Sequence, residues 1–482
     1  MNTTMTPSKY QQGVYDFVTN GEGNAVIEAR AGSGKTTTII ESMKLLDVFQ
    51  HPIFVAFNKH IADELKERGV NACTLNSFGW KAVRDFYKKR IKLNKNKTAN
   101  VLKYKIFDMD DKDQRKKCYK YMYAIVRLVS LLKANTRFPN EDLMPQWEEL
   151  SNKHNIEIPE GDDFNKVLDQ TLELSIAQTT VMDFDDQLFY PIYMDMDVDK
   201  YDYVFVDEAQ DLNPVQIELI KRMGRGGRVI AVGDSYQAIY GFRGADPEAI
   251  SNIITSLDAT VLPLSICYRC GKEIVKEAQK IVPDIEPFEE SPDGLVKTIK
   301  EDEFLKMVTD DDYVLCRVTA PLVSHCLKMI REGKKATVKG RDIGDGLITL
   351  MDKIKSDRTI EDFLEKLNQY ELDECAKLAR RGKDEAIMSL QDRVETIEAL
   401  SHDAESVGDI VIRIENIFSD NVSGVVFCTI HKSKGLEADR IFILRPDKLP
   451  HPMAKKDWQI KQETNLKYVA ITRAKKELYW VQ

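Results

Sequence analysis

The feature that most constrains the fold of this chain is a glycine-containing turn between a short β-forming run and a helical pattern. Residues 25–29 are mostly apolar, residues 30–36 read Arg-Ala-Gly-Ser-Gly-Lys-Thr, and a helical pattern follows. Glycines in this order let backbone N–H groups approach phosphate oxygens at a helix N-terminus. We therefore predict a nucleoside triphosphate site in an α/β domain, although Ala29 stands where the consensus has its first glycine. The expected loop contacts are Ala31, Gly32, Ser33, Gly34, Lys35, Thr36 and Thr37.

Two of these side chains have specific tasks in that prediction. Lys35 is expected to reach the β- and γ-phosphates, and Thr36 to offer its hydroxyl to Mg²⁺. The alternative is a glycine-rich strand-to-helix turn that binds nothing.

A pair of adjacent carboxylates strengthens the nucleotide reading. Residues 203–206 form an apolar run that ends in Asp207 and Glu208. Asp207 can hold Mg²⁺, while Glu208 can orient or deprotonate the water that attacks the γ-phosphate. The chain has neither the HRD loop nor the DFG motif of protein kinases, so transfer to a protein is disfavoured. The two motifs together predict hydrolysis of ATP.

The β-forming runs fall into two sets, which predicts an α/β protein with two parallel sheets and crossover helices. The first set is 25–29, 53–57, 203–206 and 229–232, and the second is 261–264, 313–316, 424–429, 440–444 and 477–481. Two stretches rich in Lys, Glu, Leu and Met read as helical insertions. The predicted segments are a first domain (1–85 and 178–255) with insertion 86–177, and a second domain (256–345 and 424–482) with insertion 346–423.

Composition limits the class of protein. A chain of 482 residues is long enough for several domains, and its net charge of -9 argues against a protein that coats nucleic acid with its whole surface. No run approaches the ~20 apolar residues of a membrane span, and the first residues lack a signal-peptide core. We expect a cytoplasmic protein with reduced thiols. Cys267 and Cys270 form one CxxC pair without the second pair that a zinc site needs.

One stretch of the chain is strongly basic. Between residues 81 and 105 the single acid is Asp85. A solvated helix face and a patch that contacts a nucleic-acid backbone both explain such a run, and both readings stay open. Its basic residues besides the terminal lysines are Arg84, Lys88, Lys89, Arg90, Lys92, Lys95, Lys97 and Lys103.

Residues 207–210, Asp-Glu-Ala-Gln, resemble the signature of superfamily 1 helicases of the UvrD/Rep type. Segments 233–245, 264–270, 429–437 and 468–474 resemble further motifs of that family in the expected order. The resemblance implies two RecA-like domains, each with a mainly helical insertion, and a motor that uses ATP and Mg²⁺ to move 3′ to 5′ along single-stranded DNA, with RNA not excluded. Segments 55–59, 184–186 and 340–344 are similar to the F-box DNA helicase branch, but we recognise no F-box.

The resemblance also implies nucleotide contacts outside the loop. Gln11, which we prefer over Gln12, would read adenine through its amide. Arg269 would act as an arginine finger, which is worth about 10³ to 10⁵ in rate. A γ-phosphate sensor, an adenine-stacking ring, a sugar contact and a second γ-phosphate arginine are implied at Gln237, Tyr268, Glu437 and Arg473 respectively.

Further residues are implied as contacts to the strand. Aromatic faces stack on any base for about 1–3 kcal/mol, which suits binding without sequence preference. Phe242 stands where many relatives have Trp, and Asn76 where His is usual. The implied contacts are Phe57, Asn58, Asn76, Ser77, Phe78, Tyr240, Phe242, Arg243, Thr429 and His431.

Two alternatives share these motifs. A translocase could displace proteins from DNA without efficient unwinding, and an ATP-gated nucleic-acid-binding switch would turn over slowly. The complete hydrolytic set disfavours the switch. We expect a monomer that binds no membrane. Such motors serve replication, repair and recombination alike, and protein partners such as single-strand-binding or recombination proteins are not predicted.

Overall fold

A computed structural model describes residues 6–154, 156–239, 248–354, 359–380, 384–420 and 424–482. The chain divides into two compact units, Met1–Ala29 with Gly34–Leu264, and Arg30–Ser33 with Ser265–Gln482. We call these the first and second units. The bounds of the four predicted domain segments stay a prediction. Over the described residues, no helix combines the length and apolar character that crossing a bilayer requires.

The first unit is built on a parallel sheet of six strands in the order β3-β2-β6-β7-β1-β8. Apolar residues fill these strands because helices cover both faces of such a sheet. The runs predicted at 25–29 and 203–206 match β1 and β6. In chain order the strands of this unit are β1 (Ala25–Ala29), β2 (Pro52–Val55), β3 (Ala72–Cys73), β4 (Lys92–Leu93), β5 (Val181–Met182), β6 (Tyr203–Val206), β7 (Arg228–Gly233) and β8 (Thr260–Leu264).

Alternate residues of β1 enter different cores. Ala25 and Ile27 pack in one cluster with Val14, Val18 and Ile39. Val26 packs on the other face, in the cluster that contains the buried residues of four other helices. The helices of this unit are α1 (Lys9–Asn20), α2 (Lys35–Lys44), α3 (Lys59–Glu67), α4 (Leu75–Tyr87), α5 (Lys97–Val101), α6 (Lys112–Ala134), α7 (Trp147–Lys153), α8 (Phe164–Ala177), α9 (Phe184–Tyr193), α10 (Pro214–Met223) and α11 (Ala249–Leu257).

The edge strand β8 corrects one prediction. Residues 261–264 were expected in the second sheet, but β8 pairs in parallel with β1, with Thr260 opposite Ala25 and Leu264 opposite Ala29. The prediction is wrong because an apolar run indicates a strand without indicating its partner, and pairing here joins segments more than 200 residues apart.

The insertion between β4 and β5 is mainly helical, as the sequence predicts. A π-helix at Leu102–Ile106 follows α5, and α6, α7 and α8 pack around a core that includes Leu128, Leu132, Phe164 and Leu168. The strands β4 and β5 pair in parallel at the base of this insertion.

Buried charge joins the insertion to α9. The carboxylate of Asp186 lies 2.7 Å from the Nζ atoms of both Lys97 and Lys133, and all three side chains are buried. Burial favours a raised pKa for Asp186, but the two ammonium groups hold that pKa below its ordinary value. Lys97 is therefore neither exposed to solvent nor available to a nucleic-acid backbone. The two interpretations of the basic stretch, a solvated face and a nucleic-acid contact, are both wrong for this residue.

The second unit contains a parallel sheet of seven strands in the order β11-β17-β16-β12-β15-β13-β14. The sequence did not predict β11 and β13, because each contains polar residues that interrupt its apolar run. The strands of this unit are β9 (Ile266–Cys267), β10 (Glu286–Pro287), β11 (Leu295–Ile299), β12 (Tyr313–Cys316), β13 (Ala336–Lys339), β14 (Phe418–Ser419), β15 (Val425–Thr429), β16 (Ala438–Leu444) and β17 (Ala474–Val481).

Helices cover this second sheet, so the predicted α/β class with parallel sheets holds for both units. The core unites Val314, Phe427 and Phe442 of the strands with Leu322 and Ile410 of the helices. The helices are α12 (Lys272–Ala278), α13 (Glu301–Met307), α14 (Ala320–Arg331), α15 (Arg341–Met351), α16 (Ile360–Arg380), α17 (Asp384–Ser401), α18 (Val407–Ile417) and α19 (Asp457–Ile471).

The buried charge cluster predicts a large difference between two aspartate substitutions. Asp186→Ala leaves two ammonium groups buried without their carboxylate and should lower the free energy of unfolding by about 3–5 kcal/mol. Asp85→Ala removes one of the two exposed carboxylates that pair with Lys81 and should cost about 0–1 kcal/mol. Urea unfolding monitored by the fluorescence of Trp80 and Trp147, which pack against the insertion core, measures both. Equal unfolding midpoints for the two variants would contradict this assignment.

Candidate functional site

The carboxyl ends of β1 and β6 bring together the two motifs that the sequence singles out. The Oγ1 atom of Thr36, at the start of α2, donates to Oδ2 of Asp207 at 2.8 Å. The Nζ atom of Lys35 lies 3.2 Å from Oε1 of Glu208. Parallel strands end at the same edge of their sheet, so residues 171 and 173 positions apart meet there.

The electrostatics of this group depend on mutual compensation. Burial and the neighbouring Glu208 raise the pKa of Asp207, against the opposing effects of Lys35 and Thr36. Burial alone would lower the pKa of Lys35, but the surrounding carboxylates raise it, so the ammonium group keeps its charge. The buried ammonium group of Lys35 thus lies among the carboxylates of Asp207, Glu208 and Asp234. A negatively charged ligand could replace one of these carboxylates as its partner.

Glu208 is held in an unusual conformation. Its φ of 52° lies in the left-handed region, which a non-glycine residue adopts at a cost of about 1–3 kcal/mol. The amide of Gln210 donates to Oε2 of Glu208. The carbonyl oxygen of the same amide accepts from the backbone N–H of Asp234 at 2.9 Å.

Asp234 carries this hydrogen-bonded chain to another predicted residue. Nε2 of Gln237 donates to Oδ2 of Asp234 at 2.7 Å. The structure thus links Lys35, Glu208 and Gln237 through Gln210 and Asp234. The sequence did not predict the roles of these two linking residues, because the hydrogen bond that connects the two motifs joins Gln210 and Asp234 across 24 positions.

The structure also separates the two candidate glutamines of α1. Nε2 of Gln11 donates to Oγ1 of Thr38 at 3.3 Å, and a Cβ atom added to Gly34 would lie 3.8 Å from it. Gln12 instead donates to Asp16 on the exposed side of the helix. Gln11 is therefore the glutamine beside the phosphate loop.

The phosphate loop itself has the features that a polyanion needs. Gly32 and Gly34 have φ values of 70° and 78°, which disfavour residues with side chains. The Ser33 hydroxyl is buried, and the described part of the chain gives it no hydrogen-bond partner. A phosphate oxygen would satisfy it, and the oxygens of Thr36 and Asp207 are ligands of the kind that Mg²⁺ takes.

Residues 30–33 of this loop cluster with the second unit. The N–H of Ala31 donates to the hydroxyl of Tyr468 at 2.9 Å, and the carbonyl of Gly32 accepts from the N–H of Tyr268 at 2.9 Å. A Cβ atom at Gly32 would meet Cβ of Arg269 at 2.6 Å. Close backbone approach therefore requires glycine at this position.

Arg269 is held by an ion pair in the second unit. Its Nε lies 2.6 Å from Oε2 of Glu437, whose Oε1 lies 2.8 Å from Nζ of Lys475. Burial alone would raise the pKa of Glu437, but Lys475 and Arg269 keep that pKa below its ordinary value. The sequence assigned Arg269 and Glu437 to separate tasks, and it gave no signal for Lys475.

Arg473 is buried, with 2% of its surface exposed. Its Nε and Nη1 donate to the backbone carbonyls of Val469 and Leu436 at 3.0 and 3.2 Å. The ring of Tyr268 packs on Phe288, with centroids 4.9 Å apart. The nucleotide roles of Arg473 and Tyr268 stay predictions.

The strand contacts predicted in the first unit differ in what their side chains already bind. Phe57, just after β2, is 52% exposed. Asn58 caps α3 by accepting from a backbone N–H, and Ser77 takes part in the capping box of α4. Asn76 donates to the backbone carbonyl of Phe184 and to the side chain of Gln187.

Phe78 corrects one of these predictions. It is 6% exposed and lies in the core between the first sheet and its helices. A ring in that position cannot stack on a base without unfolding α4. The motif was quoted as one block, and helical periodicity turns this member of the block inward.

The predicted contacts in the second unit lie around a short 3₁₀ turn. Thr429 ends β15, and His431 lies in the turn at Ile430–Ser433. Nζ of Lys432 in this turn pairs with Asp342 of segment 340–344 at 2.7 Å. Tyr240, Phe242 and Arg243 lie outside the described residues.

Comparisons with known proteins agree with these motifs. The family model described as the UvrD/REP helicase N-terminal domain matches residues 11–258, and the model of the UvrD-like helicase C-terminal domain matches residues 424–481. F-box DNA helicase 1 of Gallus gallus is 25% identical over 95% of this chain and 47% of its own length. The predicted likeness to the F-box DNA helicase branch is confirmed.

Bacterial relatives match a shorter part of the chain. The ATP-dependent DNA helicase Rep of Buchnera aphidicola is 29% identical over 54% of this chain and 42% of its own length. The ATP-dependent DNA helicase PcrA of Bacillus subtilis is 27% identical over 55% of this chain and 38% of its own length. This chain spans less than half the length of each of these three relatives.

The different burial of Phe57 and Phe78 predicts different effects of their substitution on stability. Phe78→Ala creates a core cavity and should lower the free energy of unfolding by about 3–5 kcal/mol. Phe57→Ala truncates a half-exposed ring and should change it by no more than about 0.5 kcal/mol. Thermal and urea unfolding of both variants measure the difference. If the Phe78→Ala protein were as stable as the Phe57→Ala protein, Phe78 would not be a core residue and could again be considered a contact to the strand.

Proposed function

This chain belongs to the UvrD/Rep helicase family, and from that membership and the geometry of its nucleotide site we propose that it is an ATP-driven motor on single-stranded DNA. The observation that carries the proposal is the meeting of Lys35 with Glu208 and of Thr36 with Asp207 at one sheet edge. A phosphate-binding lysine beside two strand-end carboxylates is the arrangement that nucleotide hydrolysis needs.

Each residue of this group has a proposed task. Thr36 and Asp207 would hold Mg²⁺, which neutralises charge on the β- and γ-phosphates. Lys35 exchanges Glu208 for phosphate oxygens when ATP binds. Glu208, still held by Gln210, then orients or deprotonates the attacking water. Gln237, tied to the same network through Asp234, reports the presence of the γ-phosphate.

The remaining nucleotide contacts follow from family membership. Gln11, beside the loop, is proposed to read adenine, and Tyr268 to stack on it. Arg269 is proposed to stabilise charge on the transferring phosphoryl group after it leaves Glu437, which then binds the sugar. Arg473 is proposed as a second arginine for the γ-phosphate.

Movement requires that the ATP and ADP states bind the strand differently, because a ligand shifts a conformational equilibrium only through its difference in affinity. Relatives that carry the names Rep and PcrA are ATP-dependent DNA helicases. We propose 3′ to 5′ movement and duplex unwinding for this chain on that basis, and a cytoplasmic location. The proposed strand contacts are Phe57, Asn58, Asn76, Ser77, Tyr240, Phe242, Arg243, Thr429 and His431.

The first expected result is ATP hydrolysis that depends on single-stranded DNA. Steady-state rates are measured without nucleic acid and with single-stranded DNA, single-stranded RNA or blunt duplex DNA. Glu208→Gln should remove the stimulated rate while single-strand binding persists, because the substitution keeps the size of the side chain but not its charge. A rate that none of the nucleic acids changes would favour the ATP-gated switch.

Two further variants test the assignment of roles. Lys35→Ala should abolish stimulated hydrolysis, and Arg269→Ala should lower it by about 10³ or more. Lys475→Ala serves as the matched control, since it removes the other cation of Glu437 and should have a much smaller effect. Normal turnover by a folded Lys35→Ala protein would reject the motor.

The direction of movement has its own test. Partial duplexes with a 3′ single-stranded tail should be unwound in the presence of ATP and Mg²⁺, and duplexes with a 5′ tail should not. Displacement of streptavidin from a biotinylated strand separates movement from unwinding. Streptavidin displacement without unwinding of either duplex would identify a translocase, and unwinding from the 5′ tail alone would reverse the polarity.

A further inference from the structure

Helix α6 of the insertion has one face in the core and one face in solvent. Tyr121, Ile125, Leu128 and Leu132 of the inner face are buried with the rest of the insertion core. Helical spacing places Lys112, Lys116, Tyr119, Lys120 and Tyr123 together on the outer face. Adding Lys103 of the preceding π-helix, we call these six residues the tyrosine face.

The exposure of the tyrosines in this region is unusual for the molecule. Tyr104, Tyr119 and Tyr123 are 70%, 58% and 72% exposed. Among the described residues they are the three tyrosines classed as exposed, and they lie within 20 positions of one another. A single exposed ring needs no explanation, but two on adjacent turns of one helix form a platform of aromatic faces.

Positive charge surrounds that platform. Nζ of Lys103 lies 5.4 Å from the ring centroid of Tyr119. Residues 86–134 contain 15 lysines and arginines against four aspartates, in a chain whose net charge is -9, and all but Lys97 and Lys133 of these cations lie outside the buried cluster of Asp186. Lys117, which pairs with Asp163, is directed to another side of the helix. Asp113, Glu160 and Asp162 line the same surface depression as Lys116 and Lys120, and Nζ of Lys120 donates to the backbone carbonyl of Glu160 at 2.6 Å. The attraction of the tyrosine face for a polyanion therefore rests on Lys103, Lys112 and Lys116 rather than on Lys120.

We propose that the tyrosine face binds single-stranded nucleic acid, with Tyr119 and Tyr123 stacking on bases and the lysines contacting phosphates. Stacking rings distinguish this ligand from an acidic protein segment, for which they offer no matching group, and from a duplex, whose bases are already stacked. The inference rests on the proposed function but uses none of its nucleotide or strand residues.

The dimensions of the surface set the form of the test. From Lys112 to Tyr123 the helix rises about 17 Å, enough for a few nucleotides beyond those that the motor motifs would hold. Binding through this face should therefore add affinity for long strands and none for short ones. It should also persist without ATP, because no residue of the face belongs to the nucleotide site.

The experiment measures binding of fluorescein-labelled single strands of about 8 and about 30 nucleotides to the full chain by anisotropy. The variant Tyr119→Ala with Tyr123→Ala should weaken binding of the long strand at least about 10-fold and leave the short strand unchanged. DNA and RNA strands are compared, and each kind of strand that shows the loss is one that the tyrosine face binds. The double Tyr→Phe variant, which keeps both rings, should bind as the parent does.

Controls separate stacking from charge and from misfolding. Phe138→Ala removes a ring that is 64% exposed elsewhere in the insertion and should not change binding. Lys103→Gln with Lys116→Gln should flatten the dependence of log affinity on log salt by about 0.7 per lysine. Thermal unfolding and ATP hydrolysis without nucleic acid should match the parent in every variant, because all the substituted side chains are exposed or half-buried.

Three outcomes would overturn the proposal. The long strand could bind the double Tyr→Ala variant as tightly as it binds the parent. The short strand could lose as much affinity as the long one, or blunt duplex could lose as much as either, which would leave only a general phosphate contact. Failure of the motor itself is distinguishable, since it would appear as normal hydrolysis by Glu208→Gln whatever the tyrosine variants do.

Discussion

The structure of the first unit at its nucleotide site depends on the compensation of two adjacent carboxylates, Asp207 and Glu208, that follow β6. Asp207 is buried, and burial of a negative charge is costly unless a cation or hydrogen-bond donors compensate it. Thr36 donates a hydrogen bond to Asp207, and the charge of Lys35, which pairs with Glu208, also favours the Asp207 carboxylate; both residues lie at the start of α2. The same two groups are those that a nucleotide and its metal ion would engage. Under the proposed function, ATP and Mg²⁺ would take over contacts that Lys35 and Thr36 make with Glu208 and Asp207.

The proposed change of partner by Lys35 would require the neighbouring polar network to stay in place. Gln210 joins Glu208 to the backbone of Asp234, and Asp234 in turn holds Gln237. If Lys35 binds phosphate as proposed, Glu208 would keep the hydrogen bond from Gln210 and would not have to reorganise. A comparable arrangement exists in the second unit, where Glu437 lies between Arg269 and Lys475. In both units an acid holds the cation that the proposed reaction needs.

Sequence reasoning succeeded where the chemistry is local. The spacing of Lys35 and Thr36 after β1, and of Asp207 and Glu208 after β6, is fixed by backbone geometry, so motif and strand were predicted together. It failed where the deciding partner is remote. The residues near β8 do not indicate that it pairs with β1. The residues near Lys97 do not indicate that its partner is Asp186, which lies 89 positions further along the chain. Phe78 was misassigned for a related reason, since a motif read as a block ignores which side of a helix each residue occupies.

The basic insertion shows most clearly what charge alone leaves undecided. Lys133 and Tyr123 lie on the same helix, yet Lys133 is buried against Asp186 whereas Tyr123 is mostly exposed. One part of the positive charge is thus neutralised inside the first unit and contributes to stability. Another part, which includes Lys112 and Lys116 of the outer face of α6, is exposed on the same side of the helix as Tyr119 and Tyr123. Composition counts both parts equally, but only the second can attract a polyanion. The prediction of a backbone-contacting patch at residues 81–105 is therefore wrong at Lys97, and Lys103 is the member of that stretch that belongs to the tyrosine face.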